Sequence, residues 1–353
     1  MRKLPLLHSF PLLNNIRKIA NPSVASHHLV LLVLFVVSSL LSPSVTAQRT
    51  CQIYFTDVER NKISRSNADG TGITDLITGQ NSIVAVQVDA QNNQLYWGRN
   101  NIKDIRRSNL DGSSETVLVA NPNPTGFSLL RDIQIDVAGG KIYWSDSGIA
   151  GSTPVIMRAN LDGTMVETLI SNEDALSIDL DLVNQKIYFS NNSTTKRANL
   201  DGTMVESVIH EGGKGLLVDT DNGKVYWING TSTIKRASLN GTNVESLVNS
   251  SSTFFDLALD TELGKIYWTN STDRIIQRAN VDGTMVETII PSPSSGSAPG
   301  YRGIALVCTA TVQVASPIPT MSQWGLVLFG LLILNCSVFL LRGELPIAKN
   351  NSF

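Results

Sequence analysis

An aromatic pair recurs six times along this 353-residue chain, and no other feature limits its fold as tightly. The pairs are Tyr54-Phe55, Tyr96-Trp97, Tyr143-Trp144, Tyr188-Phe189, Tyr226-Trp227 and Tyr267-Trp268, with tyrosines 42, 47, 45, 38 and 41 residues apart. A short polar stretch follows each pair, then a second signature: SRSNADGTG, RRSNLDGSS, MRANLDGTM, KRANLDGTM, KRASLNGTN and QRANVDGTM. A period of this length carrying four strand-like segments is the pattern of a propeller blade. In residues 254–290, FFDLALD, KIYWT, IIQRANV and MVETII read as four strands. The segments ELGK and NSTDR join them, and Asp282-Gly283 supplies the positive φ of a tight hairpin turn. The Ile-Tyr-Trp run is apolar on both alternating faces, as a sheet sandwiched between two neighbours requires. Helical periodicity is absent between residues 50 and 310. The expected fold is all-β, a six-bladed propeller of four-stranded blades.

The ends of the repeat region predict how the ring closes. Five repeats open on a strand ending in Asp: VAVQVD, RDIQID, LSIDLD, KGLLVD and FDLALD. The first repeat starts directly at QIYFTD, and its missing strand is supplied by residues 301–307, YRGIALV. Aligning the repeats puts Cys308 where Thr261 lies in the sixth and Cys51 where Gly264 lies. Those positions flank a turn that the first blade lacks, so a Cys51–Cys308 disulfide would replace a missing covalent link. Export to an oxidising compartment permits it; two free thiols are the alternative. The Asp residues ending the opening strands (Asp89, Asp136, Asp181, Asp219, Asp260) recur once per blade and read as scaffold.

These residues resemble the YWTD repeats (class B) of low-density-lipoprotein-receptor-type propellers over about residues 51–308. The RANLDGT half matches closely; the tetrapeptide departs, reading YFTD, YWGR, YWSD, YFSN, YWIN and YWTN. The resemblance implies that Asp57 and Asp146, with Asn191, Asn229 and Asn270 in their place elsewhere, are structural hydrogen-bonding residues. It also implies that one face of the ring holds extended peptide or protein ligands.

Both chain ends read as address labels. Arg2, Lys3, Arg17 and Lys18 precede a 13-residue apolar run at 29–41, short for a bilayer and suited to a signal-peptide core. Cleavage is expected after Ala47, making 1–47 a signal peptide. At the other end, a linker at 309–317 leads to Ile318-Pro319-Thr320-Met321-Ser322-Gln323-Trp324-Gly325. The apolar run 324–341 that follows is just long enough for a transmembrane helix and stops at Arg342, before a polar tail at 343–353. This segment resembles the IPTLxxWG (IPTL-CTERM) bacterial sorting signal, with Met321 in place of Leu and a longer tail than is usual. The resemblance implies a bacterial protein, an exosortase-type sorting enzyme as a partner, and a place in the cell envelope or at the cell surface. In that setting the N-x-Ser/Thr sites at Asn192, Asn229, Asn240, Asn249 and Asn270 are ordinary loop residues rather than glycan acceptors.

Function is expected where the regular scaffold varies. Turns between first and second strands and between third and fourth are uniform and share one face. Connections on the opposite face differ widely, as at 120–130, 146–154 and 291–300, and irregular loops on a regular scaffold usually carry specificity. At this face the opening strands present Arg131, Asp132, Lys214, Phe254, Asp256, Tyr301 and Arg302, a mixed charged and aromatic set suited to a protein or other surface macromolecule. An architectural or adhesion module is the alternative. A calcium-dependent lactonase-like hydrolase would need Asp132, Asp179 and Asp256 to gather around an ion. The repeats hold one histidine, His210, and no GxSxG, HExxH, CxxC or P-loop signature, so no catalytic residue, resident metal or cofactor is expected. A net charge of −2 without a basic aromatic patch gives no reason to expect nucleic acid.

Overall fold

The computed structural model describes residues 45–100, 103–120, 128–148, 152–293 and 300–314, with single helical positions at 325, 328, 329 and 332. The remainder of the predicted signal peptide and sorting signal lies outside the described residues, among which no helix is long and apolar enough to cross a membrane. Arg49–Thr309 form one compact unit.

Six antiparallel sheets of four strands carry the repeat. We number the blades 1 to 6 by their aromatic pairs. Blade 6 runs Phe254–Asp260, Lys265–Asn270, Ile275–Asn280, Glu287–Ile290 from inside to outside. In blade 1 the inner strand is Tyr301–Val314, and it pairs with Val45–Asp57 as predicted. The last strand of the ring therefore completes its first blade. It runs to Val314, beyond Cys308, where the sequence places the end of the domain. Likewise the strand beginning at Val45 passes through the expected cleavage site.

The aromatic pairs weld blade to blade. Their two side chains point to opposite faces of the second strand, so each pair serves two interfaces. Tyr54 shares a buried cluster with Trp97 of blade 2, Tyr96 with Trp144, and Tyr143 with Phe189. Around the other half, Tyr188 meets Trp227, Tyr226 meets Trp268, and Tyr267 meets Phe55 across the closure. All twelve rings are at most 2% exposed. Full burial of one large apolar side chain contributes about 1.5–3 kcal/mol, so the repeated pair is the main cohesive element.

The second signature links the outer half of the ring. Arg158 donates to Leu200 O of the next blade at 2.8 Å, Arg236 to Val281 O at 2.8 Å, and Arg278 to Ala68 O at 3.0 Å across the closure. The recurring aspartates cap the first turn: Asp89 accepts from Asn92 N at 3.0 Å, Asp136 from Gly139 N at 2.7 Å, and Asp219 from Asn222 N at 3.1 Å. Their scaffold role follows from that geometry.

One expectation needs correction. The Asp-Gly segment is not a two-residue hairpin turn with the fourth strand starting at Met285. Met285 is left-handed (φ 55°), Met285 and Val286 are exposed, and the fourth strand begins at Glu287. The longer loop forms because Asp282 bonds Thr284 through both its backbone N–H, at 3.0 Å, and its hydroxyl, at 2.6 Å. The glycine remains essential. At Gly163 φ is +85°, and an added Cβ would stand 2.1 Å from Leu118 O of the preceding blade.

The predicted disulfide is present: Cys51 and Cys308 join the two neighbouring strands of blade 1. Arg49 beside it forms a two-pronged ion pair with Asp260 of blade 6, at 2.8 and 2.7 Å.

Two measurements check these devices. Gly163→Ala should destabilise by about 1–3 kcal/mol or more in urea unfolding, through positive φ and backbone collision together. Gly140→Ala, also at positive φ (+65°) but with nothing within 4 Å of its Cβ, should cost less. Removing the disulfide by Cys51→Ser with Cys308→Ser should cost about 2–5 kcal/mol in the same assay.

Candidate functional site: the mouth of the central channel

A β-bulge aims the residues of the mouth. The inner strands of blades 2, 3, 5 and 6 shift register at Ile83/Ala85, Leu130/Asp132, Lys214/Leu217 and Phe254/Leu257. The extra residue in such a bulge leaves the ladder and re-aims its side chain. Val84, Arg131 and Phe255 lie in these shifts and line the mouth; Lys214, still paired with Ile228 just before its own shift, joins them with Arg302 from blade 1 and Leu176 from blade 4. Together they enclose a cavity of about 120 Å³.

Of the seven residues expected at this face, five line the cavity: Arg131, Asp132, Lys214, Asp256 and Arg302. Phe254 and Tyr301 do not. Phe254 is 1% exposed and lies against Trp268 with ring centroids 5.8 Å apart. Tyr301 is 4% exposed, edge-on to Phe55 at 5.4 Å, and burial pushes its phenol up to about 12. Phe254 belongs to the interface between blades 5 and 6, and Tyr301 to that between blades 6 and 1. The aromatic ring at the mouth is Phe255, which the sequence reading passed over. The aligned FDLALD motif already set Phe255 level with Arg131 and Lys214, so the signal was available.

Phe255 carries two cations. Lys214 Nζ lies 4.0 Å from its ring centroid and Arg302 Cζ 4.4 Å, reaching in from the two flanking blades. Arg131 donates through Nε to Ser147 Oγ at 3.1 Å. Burial lowers the Lys214 ammonium to about 8; the Arg302 charge pushes the same way and Asp256 opposes both. Burial also lowers Arg302, with Glu59 opposing and Arg131 adding to the effect.

Asp132 and Asp256 lie one residue deeper and separate the mouth from a second cavity of about 220 Å³ in the channel, also lined by Asp179. Each carboxylate bridges to the following blade. Asp132 accepts from Ser177 Oγ at 2.6 Å and Ile178 N at 3.0 Å, Asp179 from Val218 N at 2.6 Å, and Asp256 from Ile304 N at 3.0 Å. The second oxygens accept from Ile133, Leu180 and Leu257 N. Burial nevertheless dominates. It raises Asp132 to about 6 against three hydrogen bonds, and Asp179 to about 7 with smaller pushes from the charges of Asp132 and Asp181. Asp256 reaches about 8, through burial and then the charge of Asp132.

The calcium-site arrangement is therefore not formed by these three residues. Their oxygens are taken by backbone N–H groups, and among the described residues the one acidic, His or Cys set with ligand atoms within 4.8 Å is Cys51, Asp260 and Cys308. Two of those three are the disulfide. The variable loops cover the mouth face only in part within the described residues: 121–127, 149–151 and 294–299 fall outside them.

The ring is a six-bladed β-propeller. No protein-family model matches the chain. A low-density lipoprotein receptor-related protein 5-like protein from Homo sapiens is 30% identical over 147 residues, covering 41% of this chain and 56% of that protein. Protein cueball from Drosophila willistoni is 23% identical over 150 residues, 40% of this chain and 22% of that protein. The chain thus spans about half or less of the length of these curated relatives. Among solved structures, that of a nidogen/laminin complex superposes with a TM-score of 0.61 at 18% identity, covering 72% of this chain and 98% of the matched one. TolB from Acinetobacter baumannii gives 0.59 at 12% identity, over 73% and 66%. At these identities the two structures share the fold. The similarity to the receptor-related and cueball proteins is distant, and it agrees with the YWTD resemblance of the repeats.

The raised carboxylates fix a pH dependence. An unfolded Asp releases its proton near pH 4, whereas Asp132, Asp179 and Asp256 release theirs at about 6, 7 and 8 when folded. Across that window the folded chain binds more protons, so stability falls as pH rises. Carboxylates held low by arginine against the effect of burial, such as Asp104, act only below about pH 4. The melting temperature should drop from about pH 5 to about pH 8, and less steeply in Asp179→Asn. A melting temperature rising over that interval would contradict the assignment.

Proposed function

We propose that this chain is an exported binding module that holds a protein partner at the mouth of its propeller, and that it works by recognition rather than catalysis. The observation that carries this reading is the mouth itself: register shifts in four of the inner strands lie at or beside the residues that line one shared cavity. Bulges place side chains for contact at a cost in sheet regularity. Charged and aromatic residues set around an apolar floor of Val84, Leu130 and Leu176 suit the centre of a protein interface. The similarity to a receptor-related protein and the shared fold of a propeller solved in a nidogen/laminin complex support a protein as the partner.

The envelope location rests on sequence. A basic leader with a short apolar core at 29–41 supports export, and the sorting-like segment 318–342 supports retention at the membrane or processing by an exosortase-type enzyme. The disulfide is consistent with an oxidising compartment. The second reading, an architectural surface module, is favoured by the Ser-, Thr- and Asn-rich surface and needs no discrete ligand.

Affinity capture from cell envelopes separates the two. The full chain is compared with a variant carrying Arg131→Ala, Lys214→Ala and Arg302→Ala together, side chains that face the cavity and make no ion pair among the described residues. One macromolecule retained by the native chain and lost with the variant is the expected result. Equal retention by both would move binding away from the mouth, and no enrichment at all would favour the architectural module.

A further inference from the structure

We propose that the mouth recognises an acidic side chain, a partner carboxylate seated among Arg131, Lys214 and Arg302 against the ring of Phe255. This rests on the reading that a protein partner binds at the mouth, and it names the chemistry by which that partner is held.

The argument starts from charge balance. Elsewhere on the ring four of the six aligned arginines of the second signature are neutralised: Arg158, Arg197, Arg236 and Arg278 each pair with a glutamate on the adjacent strand, at 2.6–2.7 Å. Arg131, Lys214 and Arg302 make no ion pair among the described residues, although blades 3, 5 and 1 aim them into one cavity. The segments 121–127, 149–151 and 294–299 contain no Asp or Glu, so none of them supplies the missing anion. Glu59, exposed beside blade 1, favours the charge on Arg302 without reaching ion-pair distance.

The two acids beneath the cations offset them only in part: Asp256 favours the charge on Lys214, but no ion pair joins the acids to the cations among the described residues. Each oxygen of Asp132 and Asp256 already accepts a backbone N–H, which orients the carboxylates toward the sheets. Burial also favours their protonated forms. What faces the cavity is a cluster of like charges: Arg302 opposes the charge on Lys214, and Arg131 opposes that on Arg302. Such a cluster costs folding free energy when empty, and a bound anion relieves it.

Size and floor select the anion. A cavity of about 120 Å³ has room for the end of one side chain. Its apolar part, Val84, Leu130, Leu176 and Phe255, suits the methylenes of Asp or Glu beneath a single negative charge. The Phe255 ring holds Lys214 and Arg302 at 4.0 and 4.4 Å, preorganising the donors and sparing the entropy of ordering them on binding.

The test uses the full chain and fluorescein-labelled oligo-glutamate, read by fluorescence anisotropy. Saturable binding that weakens with added salt is expected. Lys214→Gln and Arg302→Gln should each weaken it about tenfold, the loss of one charge-assisted contact. Lys214→Arg should retain it. Lys265→Gln removes one charge from the opposite face, where Lys265 donates to Asn280 Oδ1, and should leave binding unchanged. Affinity should fall as pH passes about 8, because Lys214 loses its charge while Asp256 beside it gains one; Arg131, Arg302, Asp132 and Glu59 complete the charged surroundings. No binding, equal losses in Lys265→Gln and Lys214→Gln, or binding of dextran sulfate but not oligo-glutamate would each overturn the inference. A partner captured at the mouth by a chain that ignores oligo-glutamate overturns this inference alone. Failure of both assays removes the protein-binding reading as well.

Discussion

The whole ring depends on a tyrosine in one blade meeting a tryptophan or phenylalanine in the next. Adjacent side chains on a strand face opposite ways, so a two-residue motif can serve both neighbours of its blade at once. Six copies then specify six interfaces, each made by the same kind of contact. Since the pair lies in the second strand, apolar cohesion is concentrated near the middle of each blade. The inner strands are freed to carry polar and charged groups toward the axis. The arginine bridges at the outer edge and the carboxylate bridges at the inner edge set the orientation of neighbouring blades around that cohesion.

This division of labour explains what was legible in the sequence. The blades, their number and the closure by residues 301–307 could all be read because repetition exposes them: a missing strand in the first repeat has one place from which to come. The Cys51–Cys308 pairing followed from the same alignment. The site was less legible, because a bulge breaks the alternation on which strand reading relies. With Phe254 and Phe255 adjacent at the head of one strand, a regular ladder does not tell which faces the channel. The register shift between Phe254 and Leu257 puts Phe254 under Trp268 and Phe255 at the mouth. Tyr301 was misplaced similarly, since the closure needed an aromatic partner for Phe55. The roles of Asp132 and Asp256 depended on backbone N–H groups of another blade, a contact that no local pattern encodes.

The mouth thus combines two kinds of polar residue with different tasks. The carboxylates are structural and hold blade to blade, at the cost of being buried. The cations above them have no such duty. Among the described residues Arg131 has a neutral partner in Ser147, while Lys214 and Arg302 lie over an aromatic ring. A group whose partners do not account for its charge is the stronger candidate for recognition.

The closure has a mechanical consequence. The strands entering and leaving the ring are antiparallel neighbours, and the hydroxyls of Thr50 and Thr309 stand 3.2 Å apart. Tension applied along the chain on either side would therefore arrive at almost the same point and tend to unzip blade 1. The next residue inward on each strand is a cysteine of the disulfide. That covalent cross-bar would carry the pull from one flank to the other and leave the six blades unloaded. A propeller closed in this way can be held under strain, in a moving wall or between two attached bodies, without its mouth changing shape.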